Sequence, residues 1–127
     1  MTLREIVHRL RYDARIYSHP MDCWVWGQNN AVFAPSMPRI DGKFCFHDTP
    51  SVLENIAQEL LPLVNDGTIV GFKYHPRVDE DGEYAGQNPP MLVYTQQAQR
   101  TAVESFLNQR GVDHRWIKTD ALGFTPK

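Results

Sequence analysis

The sequence predicts an α+β fold. It should form a single mixed or mostly antiparallel sheet of about five to six strands, with helices packed mainly on one face. Three observations point there. Segments with the period or composition of strands are interleaved with segments whose apolar residues recur every three or four positions. Their order along the chain reads α-β-β-β-α-β-β-α-β, which fits one sheet covered on one side. At 127 residues, with 42% hydrophobic and 22% charged residues, the chain suits one domain spanning residues 1–127 with a sizeable core.

The first helix is expected to open at the capping box Thr2-x-x-Glu5. Leu3, Ile6, Val7 and Leu10 supply its apolar face, and Arg4, Arg9, Arg11 and Arg15 lie around the rest. It should run to about Tyr17 and break at Ser18-His19-Pro20, because a residue before proline avoids helical geometry. Asp22 to Trp26 has strand composition, Gly27 to Asn30 reads as a turn and Ala31 to Ala34 as the returning strand of a hairpin. Trp24 and Trp26 share one face, either as core cover or as an aromatic clamp for a planar ligand. Pro35 to Gly42 is a loop stiffened by Pro35 and Pro38.

The clearest signal runs from Asp41 to Pro76. Lys43 to His47 alternates, with Phe44 and Phe46 on one face and Lys43, Cys45 and His47 on the other. Thr49-Pro50 starts a helix with a hydroxyl N-cap and a proline at the first helical position. Val52, Leu53, Ile56, Ala57, Leu60, Leu61 and Val64 form its broad apolar stripe. Pro62 should kink or tighten the last turn, and Gly67 suits a left-handed cap. Ile69 to Pro76 then re-enters the sheet, so Lys43 and Lys73 stand on strands either side of one helix. If those strands are neighbours, both amines could face one shallow groove.

Arg77 to Pro90 is acidic and without period, a long surface loop that could serve as a lid. Met91 to Thr95 is a short apolar strand. A helix follows from about Gln97 to Arg110, with Ala98, Ala102, Val103, Phe106 and Leu107 facing inward and Gly111 as its cap. Val112 to Thr119 is the last strand.

Net charge of −2 argues against broad binding to nucleic acid or anionic membrane. No apolar run reaches membrane-spanning length and the N-terminus lacks a signal-peptide pattern, so a cytoplasmic protein is expected, or one delivered to a host cytosol by a dedicated secretion system. Cys23 and Cys45 read as reduced, mostly buried thiols in neighbouring strands. The five histidines have no zinc-type spacing. The carboxylates Asp79, Glu80, Asp81 and Glu83 do not match a calcium loop, so neither metal nor other cofactor is expected.

Gly42-Lys43-Phe44, a helix ending LLPLV at Leu60 to Val64, and FKYHP at Phe72 to Pro76 together resemble the core of the bacterial phosphothreonine lyases. These effector enzymes remove phosphate from phosphothreonine by β-elimination. The same pattern resembles uncharacterised relatives with a lyase-like or cap-binding-protein-like fold. The likeness continues through MLVYT at Met91 to Thr95 and a final strand led by Gly111-Val112 and containing Trp116. It spans roughly Gly42 to Asp120, as spacing and character more than identity. The resemblance implies Lys73 as general base, Lys43 as a phosphate holder and Tyr94 as a further site residue. Cys45 occupies the position of the family's histidine acid, and His47 lies two residues on, on the same face. Gln96 stands where the family has a lysine, and the family's phosphate-binding arginines have no counterparts at matching positions. Arg39, Arg77 and Arg115 are candidate substitutes, and His75 completes the basic set.

β-Elimination needs a placed base, an acid for the leaving phosphate and cations to stabilise developing charge. With part of that set missing, the expected function is a non-catalytic binding or regulatory protein of effector or inhibitor type. Its expected partner is a protein or a phosphorylated peptide, and a sizeable exposed apolar or aromatic patch would accompany it. The alternative is a phosphothreonine or phosphoserine lyase using Lys73, His47 and Tyr94, with Lys43, His75, Arg77 and Arg115 binding substrate. A second alternative is nucleotide or cap-like binding through exposed Trp24 and Trp26.

Overall fold

The computed structural model of the chain describes residues 14–18, 24–29 and 40–118. Among the described residues six strands form one sheet: β1 (Ala14–Ser18), β2 (Val25–Asn29), β3 (Gly42–His47), β4 (Gly71–Tyr74), β5 (Pro90–Thr95) and β6 (His114–Lys118). Helix α1 (Pro50–Asn65) joins β3 to β4, and a 3₁₀ turn (Gln97–Gln99) followed by α2 (Arg100–Gln109) joins β5 to β6. The spatial order is β1-β2-β4-β5-β3-β6, and every neighbouring pair is antiparallel. The α+β class with one antiparallel sheet is therefore as the sequence predicts. Among the described residues no helix is long and apolar enough to cross a membrane.

Both helices pack on one face. The main core joins Phe44 and Phe46 of β3, Phe72 and Tyr74 of β4, and Met91 and Val93 of β5 to Leu53, Ile56, Ala57, Leu60 and Val64 of α1. Val103 and Leu107 of α2 close it. In β5 the central residues alternate between the core face and the opposite face, yet nearly all are apolar. That is the signature of a strand covered on both sides, and β5 lies between β4 and β3. A smaller second core of Trp26, Ile40 and Tyr94, with Trp24, Val70 and Leu92 against it, covers part of the opposite face.

Helix α1 begins at Pro50 as expected, but the Thr49 side chain makes no capping bond. The Thr49 N–H instead donates to Asp48 Oδ1 at 2.7 Å. Pro62 is carried within the last turn, and the helix ends where the Gly67 N–H donates to the Val64 carbonyl, three residues back, at 3.3 Å. Gly67 and Gly111 sit at φ of +83° and +69°, the left-handed caps that the sequence signals.

Three expectations are corrected. Ala14–Ser18 is strand, not the end of the first helix; it pairs along its length with β2, and Ile16 packs on the main core, so long-range pairing outweighs the arginine-rich helical reading. The remainder of that helix, including Thr2-x-x-Glu5, lies outside the described residues, as do Cys23, Ala31–Ala34 and Arg39. Gly27 is not a turn residue but the centre of β2. Its partner across the ladder is Phe72, whose ring lies over the glycine where a Cβ would stand. Gly42 is covered by the Trp116 ring in the same way. The expected result for Gly27→Ala is a loss of about 1–3 kcal/mol in denaturant unfolding, because the methyl displaces a packed ring. Finally, Ala98 and Ala102 are exposed. The 3₁₀ turn, held by the Gln97 N–H donating to Asp41 Oδ2 at 2.8 Å, changes the phase, so α2 buries only Val103 and Leu107.

Candidate functional site

The register places the sequence-predicted residues on the sheet face opposite the helices. Trp26, Lys73, Leu92, Cys45 and Arg115 form one row across five strands. Gly71, Tyr94 and Lys43 belong to the next row. At the other end of the strands, His47 pairs with Pro90, and the His75 N–H donates to the Pro90 carbonyl at 3.1 Å. His47 and His75 therefore flank Pro90 from opposite sides, with Cα atoms about 10 Å apart at normal strand spacing. Pro90 is the first residue of β5, where a missing N–H is tolerated.

Four of the predicted residues come together at this end. His47, His75, Arg77 and Arg115 line one open cleft of ≈510 Å³, and Pro90 forms part of its floor. The loop between β4 and β5 builds the other wall with Asp79, Tyr84, Gln87 and Asn88. That loop is ordered by its own backbone bonds: the Gly86 N–H donates to the Asp79 carbonyl at 2.9 Å and the Ala85 N–H to the Gly82 carbonyl at 3.2 Å. Gly82 and Gly86 take φ of +91° and +75°, which those turns require. A cleft with two guanidinium groups, two imidazoles and one carboxylate suits an anion. Planar guanidinium forks match phosphate or carboxylate oxygens, and ring N–H groups add directional donors.

The other three predicted residues lie elsewhere. Lys43 and Lys73 are not on neighbouring strands, because β5 separates β3 from β4. The expected shared groove of the two amines is corrected on that point. The Lys73 ammonium lies 4.5 Å from the Trp24 ring centre and 4.9 Å from that of Trp26, so both indoles hold it by cation–π attraction. His75 meets Trp24 edge-on, with centroids 4.0 Å apart. Trp26 is only 3% exposed, so the two indoles do not form the open clamp that base or cap binding needs.

Tyr94 is buried in the second core, and burial, with Cys45 beside it, pushes its phenol up from 10.0 to about 12. Tyr74 shifts in the same direction through burial and the Glu54 carboxylate. A raised phenol stabilises the fold fully below its unfolded value and loses that contribution as pH climbs through the folded value. Stability is thus expected to hold up to about pH 10 and to fall by about 2–3 kcal/mol towards pH 12, with Tyr94→Phe flattening the decline in urea titrations.

Sequence reasoning missed the wall residues Asp79, Tyr84, Gln87 and Asn88. The available signal was position: this loop leaves β4 directly after His75 and returns at Pro90, beside His47. Among the described residues, only Val78 and Tyr84 are large hydrophobics left exposed, both in the loop, and these residues together show no sizeable apolar patch of the kind expected with a binding role. Among the same residues no group of three or more histidines, cysteines or carboxylates is arranged to hold a metal ion. Cys45 is a buried free thiol.

No protein-family model matches the sequence, and no curated protein is similar to it in sequence. A distant likeness to a solved structure is found. That structure is the type III effector/phosphothreonine lyase OspF from Shigella flexneri, at 17% identity and a TM-score of 0.49. The likeness covers 80% of this chain and 59% of that one, so the chain spans less than two thirds of its neighbour. It is a distant, fold-level likeness.

Proposed function

We propose that this chain is a non-catalytic binding protein whose cleft takes an anionic, phosphorylated segment of a partner protein, in a regulatory role. The observation that carries the reading is the convergence of His47, His75, Arg77 and Arg115 on one open cleft, a polar docking feature in place of the expected apolar patch, which is not found among the described residues. These side chains come from β3, β6 and the loop that leaves β4, and their common chemistry is donation to oxygen anions. Arg77 is exposed on the loop and Arg115 on β6, so both guanidinium groups can be reached by a macromolecular ligand.

The eliminating-lyase alternative needs a base within hydrogen-bond reach of the substrate's α-proton. Lys73 is the candidate, but its ammonium lies against Trp24 and Trp26 and it does not line the cleft. Lys73 in this reading is a structural cation. Lys73→Ala is expected to cost about 1 kcal/mol of stability through lost ring contacts and to leave peptide affinity within about twofold.

The test is a phosphothreonine peptide incubated with the pure protein and followed by both fluorescence polarisation and mass spectrometry. The expected outcome is phosphate-dependent binding with the peptide mass unchanged. Loss of phosphoric acid from the peptide, absent with Lys73→Ala, would replace this reading with the lyase. No phosphate dependence would remove both.

A further inference from the structure

A second cleft of ≈500 Å³ adjoins the first and shares His75, Arg77 and Asp79 with it. Its other walls are of a different kind. Trp24, Val25, Pro76 and Val78 provide apolar surface, and Glu80 joins Asp79 at the rim. Val78 is 37% exposed although it is a large hydrophobic, which leaves its surface available beside the carboxylates. The two clefts together make one groove whose charge is graded along it. His75, Arg77 and Asp79 line both, Arg115 and His47 line the first alone, and Glu80 beside an apolar wall lines the second alone. The second cleft therefore holds two carboxylates to one guanidinium, and the first two guanidinium groups to one carboxylate.

Resting on the binding reading above, we infer that the second cleft selects a basic side chain, lysine or arginine, close to the phosphorylated residue of the same ligand. Charge complementarity and shape point the same way. A long basic side chain has an apolar stem and a cationic head, and it gains most where the stem lies on apolar surface and the head meets carboxylates. Trp24 and Val78 supply that surface, and Asp79 and Glu80 supply the carboxylates. An acidic side chain would meet those carboxylates, and a short apolar one would leave them solvated without gain. Clefts of this volume are about 10 Å across, which is about three residues of extended chain. The basic residue therefore belongs about three positions from the phosphate.

The test uses fluorescein-labelled phosphothreonine peptides in an alanine-glycine background. Lysine, alanine or glutamate is placed three positions before or after the phosphothreonine, and affinity is read by fluorescence polarisation. On one side of the phosphate, lysine is expected to bind about tenfold tighter than alanine, with glutamate weakest. Glu80→Lys should invert that order and leave the dependence on phosphate in place. Arg115→Ala should weaken every phosphopeptide and keep the order. Equal affinity for all three residues on both sides, with phosphate dependence intact, would overturn this inference alone. Binding indifferent to phosphate would overturn the reading beneath it and the inference with it.

Discussion

Replacing Phe72 by alanine is expected to lower the free energy of unfolding by about 3–5 kcal/mol, more than any of the other substitutions described above. Phe72 is fully buried at the centre of the main core, and its ring also lies over Gly27 on the neighbouring strand. The truncation therefore opens a cavity under α1 and uncovers a strand glycine that has no side chain of its own to fill the gap. Thermal unfolding should move down by more than about 10 °C. Gly27→Ala combined with Phe72→Ala should cost less than the sum of the two, because the clash exists only while the ring is present.

The second large effect concerns binding. Arg77→Ala and Arg115→Ala are each expected to weaken a phosphothreonine peptide about tenfold, and the double variant about a hundredfold. Both side chains are exposed, so neither change should alter thermal stability by more than about 0.5 kcal/mol. Wild-type affinity should also fall as salt rises, since exposed charges are screened within about 10 Å at 0.1 M. An affinity unchanged in the double variant would move the anion site away from this cleft.

Much of the fold was legible because burial follows simple periods. Phe44 and Phe46 alternate into the core, and the α1 stripe buries Leu53, Ile56, Ala57, Leu60 and Val64 as its spacing requires. The failures share a cause: local chemistry has two uses, and long-range pairing selects between them. Gly27 carries turn chemistry, but the Phe72 ring across the ladder uses its missing Cβ instead. Arg15 continues a helix-compatible spacing of arginines, but the pairing of Ala14–Ser18 with β2 makes the segment a strand.

The site divides in the same way. That Lys43, Cys45, His47 and Lys73 share a face follows from pleat alone once the ladders are known. Whether they share a site depends on strand order, and the insertion of β5 between β3 and β4 separates the two lysines. The same order brings His47 and His75 to either side of Pro90 and carries Arg115 to the cleft. No local pattern encodes that neighbourhood, because it is assembled from residues up to 68 positions apart, His47 to Arg115.

The most direct test is an amide NMR titration of the wild-type protein with a phosphothreonine peptide and its unphosphorylated twin. A phosphate-binding cleft predicts that the phosphorylated peptide alone shifts the amides of His47, His75, Arg77 and Arg115 and those of the Asp79 to Asn88 wall, while Gln28 and Lys43 stay in place and the peptide is recovered intact. Shifts centred on Lys43 and Tyr94, or a peptide recovered without its phosphate, would contradict it.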